Sequence, residues 1–79
     1  MRLFAILLDE DKSKPPEKFE ILGAQFIPEE NTVVMVKHGQ TMIEASVIKT
    51  EAVLEKIGDN ADMTFNIFIK PIPPSKNLN

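Results

Sequence analysis

Thr50-Glu51-Ala52-Val53-Leu54-Glu55-Lys56-Ile57-Gly58 is the stretch whose reading decides the fold class. Taken as a helix, it carries a full set of terminal signals. Thr50 can accept hydrogen bonds from the free backbone donors of a first turn, and Glu51 lies at the positive end of the macrodipole. Lys56 falls in the last turn and Gly58 follows it as a C-terminal cap. Val53, Leu54 and Ile57 form an apolar stripe suited to docking on a sheet. The segment is expected to be helical.

Working outward, Thr32–Lys37 (TVVMVK) is β-branched and reads as a strand, with Gln40–Ile48 as its returning partner. His38-Gly39 between them suits a two-residue turn, since glycine accepts positive φ without cost. On the other side, Met63–Lys70 (MTFNIFIK) alternates, with Phe65, Ile67 and Ile69 facing inward. Arg2–Leu8 is apolar at both alternating sets of positions, the pattern of a central strand covered on both faces. Glu17–Ile27 fits two periods. Phe19, Leu22 and Phe26 recur at helical spacing behind Pro15 and Pro16, whereas Phe19, Ile21 and Ile27 also fit a strand. A short helix is the preferred reading.

The resulting order is strand, helix, strand, strand, helix, strand. That order predicts an α+β, ferredoxin-like βαββαβ two-layer sandwich on a four-stranded antiparallel sheet. If Glu17–Ile27 is a strand, the alternative is a five-stranded sheet with one helix. Residues 1–72 make a single domain, and 73–79, inside a proline-rich end, form a loose tail.

Composition narrows the function. Seventy-nine residues hold one small domain, and a net charge of -3 argues against a surface held by nucleic-acid phosphates. No cysteine means no disulfide and no thiolate chemistry, and one histidine leaves little catalytic inventory. The three glycines lie far apart, so no phosphate-binding loop is present, and no cofactor is expected. The apolar run Leu3–Leu8 stops at Asp9 and is too short for a secretory leader or a membrane span. A cytoplasmic location is expected.

Asp9 and Asp11 are the candidate metal ligands, since clustered carboxylates suit Mg²⁺. An aspartate just past an apolar first strand resembles the CRISPR-associated spacer-acquisition endonucleases, which are ferredoxin-like. That resemblance implies a metal-dependent nuclease, but it is confined to this one position and the basic surface of those proteins is missing. The plainer reading is a solvated acidic turn. His38 has no Ser, Cys or Asp at a catalytic spacing and reads as a turn residue. An RNA-binding sheet would need exposed aromatics on its central strands. Gln40–Ile48 carries none, which argues against nucleic acid.

One surface survives this filter. A His38-Gly39 turn pairs Lys37 with Gln40, Met35 with Met42 and Val33 with Glu44 on the face away from the helices. Phe68 joins the same face. Methionine is adaptable, and an apolar centre with a polar rim is how a protein interface is built. Val33, Met35, Lys37, Met42, Glu44 and Phe68 are therefore the candidate partner-binding residues. The expected function is a small acidic protein-binding module of inhibitor, antitoxin or immunity type, acting as a homodimer or on a protein partner. Asp9, Glu10, Asp11, Glu29 and Glu30 would steer it to a basic target. The alternatives are a metal-dependent hydrolase built on Asp9 and Asp11, and a small-molecule sensor at a dimer interface.

Overall fold

Gly58 does not cap a helix. With Asp59 it makes a two-residue turn in which Ile57 pairs with Asn60 and the chain returns along itself. Gly58 has φ +62°, and glycine at the first of two central positions is the pattern of a II′ hairpin turn. The computed structural model describes residues 2–9 and 11–73. It contains five strands: β1 (Arg2–Leu7), β2 (Glu17–Ile21), β3 (Val33–His38), β4 (Thr41–Ile57) and β5 (Asn60–Pro71). No helix occurs among the described residues.

The fold is thus all-β, and the α+β, ferredoxin-like expectation is overturned. The one-helix alternative has the right number of strands, but its helix is the outer half of β4. Pairing with β5 overrides the local helical signals, because the Val53–Leu54–Ile57 stripe has nothing to bury it. In Glu17–Ile27 the strand period wins up to Ile21, and Gly23 at φ +70° turns the chain away.

The sheet order is β2-β1-β5-β4-β3. β1 runs parallel to β5, Arg2 beside Thr64 through Leu7 beside Ile69, and the other pairs are antiparallel. The β3–β4 turn is Gly39-Gln40, not His38-Gly39. Lys37 therefore pairs with Met42, Met35 with Glu44 and Val33 with Ser46. Gly39, at φ +66°, repeats the II′ pattern of Gly58.

Leu3, Ala5, Ala45, Val47, Ile67 and Ile69 form the core on the inner face of the curled sheet. Phe19, Ile21, Val34, Val36 and Phe65 pack around them, and Ala24 and Ile27 of the β2–β3 connection fold over. That connection is held by reciprocal backbone bonds at Val47. Asn31 donates to its carbonyl at 2.7 Å, and its own N–H donates to Thr32 at 2.9 Å. The sheet and its own loop supply the cover that helices were expected to give.

A β-bulge governs β4. Val47 pairs with Ile69 and Lys49 with Phe68, leaving Ile48 extra. Inward positions are odd before it (Ile43, Ala45, Val47), and the residues opposite the inward Ile67 and Phe65 are even after it (Thr50, Ala52). Among the described residues neither β1 nor β3 continues beyond the Val53–Thr64 pair, so residues 54–63 project as a two-stranded arm. The molecule is accordingly elongated, 59 Å in its longest dimension.

Candidate functional site

The outer face of the sheet, opposite the core, gathers the functional candidates. Alternation fixes its membership: positions next to inward Leu3, Ala5, Ile67 and Ile69 point outward. In one row Lys70 lies beside Ser46 and Ser46 beside Val33. The next rows hold Glu44 with Met35 and Met42 with Lys37. Val33, Met35, Lys37, Met42, Glu44 and Phe68 thus share this face, although the pairing among the first five is shifted from the expected one. Val33, Met35 and Met42 are each 56% exposed and the bulged Ile48 45%.

Phe68 is not part of that open patch. It is half-buried, paired with Lys49 and Ile6, and the Lys49 ammonium sits 5.2 Å from its ring centre. Phe4 on the neighbouring strand is covered twice, by Arg2 at 5.0 Å and Lys18 at 4.8 Å. These cations shield the Phe4 ring on the outer face of β1 and the Phe68 ring beside Ile6. Arg2 also donates two 3.2 Å hydrogen bonds to the Glu20 carboxylate. This raises the Arg2 pKa and lowers that of Glu20, the hydrogen bond between them being the main cause of both. Between the rings, buried Asn66 donates to Glu51 at 3.2 Å, while its Oδ1 has no protein partner among the described residues.

At the upper end of this face lies an open groove of about 560 Å³. Leu8, Pro16 and Ile48 supply apolar wall, and Lys12, Lys14 and Lys70 supply charge against one carboxylate, Asp9. Sequence reasoning missed this groove. Lys12 and Lys14 sit in a loop far from Lys70, and only the parallel β1–β5 pairing brings them together. Ile48 reaches the groove because the bulge exposes it.

Asp9 and Asp11 lie in the β1–β2 loop. Asp9 Oδ1 accepts from the Asp11 N–H at 2.8 Å, and Asp11 Oδ1 accepts from the Ser13 N–H and hydroxyl at 3.0 and 2.7 Å. The Ser13 side-chain bond, followed by its backbone bond, lowers the Asp11 pKa. These carboxylates brace a turn. Among the described residues no group of three His, Cys, Asp or Glu could hold a metal ion. Glu10 and the side chain of His38 lie outside the described residues, as does 74–79 of the expected tail. No helix of the described residues is long and apolar enough to cross a membrane. No family model, curated protein or solved structure matches the chain.

Proposed function

We propose that this chain is a binding module that docks through the outer face of its sheet. The observation that carries the reading is the open patch of Val33, Met35, Met42 and Ile48, set among Lys37, Glu44 and Lys70 on adjacent strands. The register interleaves the two kinds of residue, Met35 beside Glu44 and Met42 beside Lys37, and adaptable methionines set among charges suit a protein interface. A second copy of the chain is the first partner to test, since small β domains gain from association what a core of this size does not supply. For a different protein partner, the net charge of -3 favours a basic surface. A cytoplasmic location goes with this reading, as cysteine is not used.

The test is an NMR dilution series on chain labelled at the methionine methyls. Shifts or broadening at Met35 and Met42 with rising concentration, lost in Met42→Lys, are expected. Unchanged methyl signals from micromolar to millimolar would remove self-association through this face.

A further inference from the structure

We propose that the arm of one copy lies in the lysine groove of a second, and that the second returns the contact. This rests on the outer face being a docking surface, and it names the occupant. The arm is acidic: Glu55, Asp59 and Asp62 stand against Lys56 alone. Glu55 and Asp62 are directly opposed in register, so two like charges share one side of the ribbon. Directly opposed like charges weaken a strand pair. Arg2 of the same chain, whose charge Asp62 favours, offsets part of that repulsion, and a cationic partner at the arm relieves more. The groove supplies one, with Lys12, Lys14 and Lys70 exceeding Asp9.

Geometry makes the contact reciprocal. Asp62 and Lys70 lie on the same strand, eight positions apart, or about 27 Å in extended chain. Glu55 and Asp62 belong to the ribbon side that continues the outer face, because Thr64, Asn66 and Phe68 succeed Asp62 on alternate positions. When two copies meet outer face to outer face with their β5 strands antiparallel, each arm lies over the other's groove. Both contacts then form under one two-fold axis. Apolar complementarity accompanies the charge: Val53 and Ile57, exposed beside Glu55, meet Leu8 and Ile48. Arm against arm is disfavoured, since it would bring two acidic ribbons together.

The experiment is sedimentation of the full chain at micromolar concentration, with circular dichroism to confirm folding. Two double variants are compared, Glu55→Lys/Asp62→Lys in the arm and Lys12→Glu/Lys70→Glu in the groove. Arg2 of the same chain lies within charge range of Asp62, so the arm variant also loses that attraction. Glu55→Lys alone, which keeps it, is run beside the pair and is expected to weaken the dimer in the same direction. The wild type is expected to sediment as a dimer that weakens with added salt. Each variant alone should dissociate at least ~10-fold more readily. Their equimolar mixture should restore the dimer, because a reversed arm fits a reversed groove. A wild-type monomer, or arm and groove variants that dimerise like wild type, overturns the inference. Should Met42→Lys dissociate a dimer that arm reversal leaves intact, the outer face docks but the arm is not its occupant.

Discussion

Leu54 and Met63 face each other across the arm, directly opposed in register, yet remain 64% and 39% exposed. An apolar cross-strand pair left this open contributes to the ribbon alone and nothing to the core.

Leu54→Ala is therefore expected to lower global stability by no more than about 0.5 kcal/mol. Ile69→Ala, which empties a fully buried position, should cost about 2–5 kcal/mol. Urea denaturation of the two variants checks the contrast, and comparable losses would place Leu54 in the core.

Amide hydrogen exchange should separate the molecule into two parts. Among the described residues, 54–63 pair only with each other, and an isolated two-stranded ribbon is marginal in water. Their amides should exchange well ahead of those of Ala45, Val47 and Ile67. Equal protection in dilute, monomeric protein would mean that the arm is held by contacts within one chain.

Gly58 needs its left-handed backbone but not its lack of bulk. A Cβ added there meets nothing within 4 Å, while φ is +62°. Gly58→Ala should then cost about 1–2 kcal/mol of backbone strain, and Gly58→Asn less, since asparagine visits this region more readily. Paired thermal melts would show it.

Acid should loosen the β1–β2 edge. Glu20 has a folded pKa below its usual value, so its contribution is present above the unfolded pKa and lost as pH falls through the folded one. The loss is expected below about pH 4. Arg2→Gln should flatten that part of the pH dependence, and its effect will be modest because the pair is exposed and screened.

β3 and the inner half of β4 were legible from their β-branched runs, and β1 from a run apolar at both alternating sets of positions. Ile67 and Ile69, read as inward on β5, are buried. The outer half of β4 was not legible, and the reason is Ile48. An extra residue reverses the alternation, so Thr41–Ile57 never reads as one strand, and the segment beyond the bulge mimics a helical stripe. The one local clue was Gly58-Asp59, a glycine–aspartate pair that signals a hairpin turn as well as a helix end. For the outer face, alternation could assign residues to a side. It could not bring Lys12 and Lys14 to Lys70, which depends on a parallel pairing between the two ends of the chain.

That pairing also sets an order of assembly. β3, β4 and β5 can form from neighbours, each joined to the next by a two-residue turn. β1 and β2 have only each other until β5 exists, because Arg2 must find Thr64 across nearly the whole chain. Closing so long a loop carries an entropic cost that slows folding. During synthesis β1 must wait for β5, its apolar residues covered on one edge at most in the meantime.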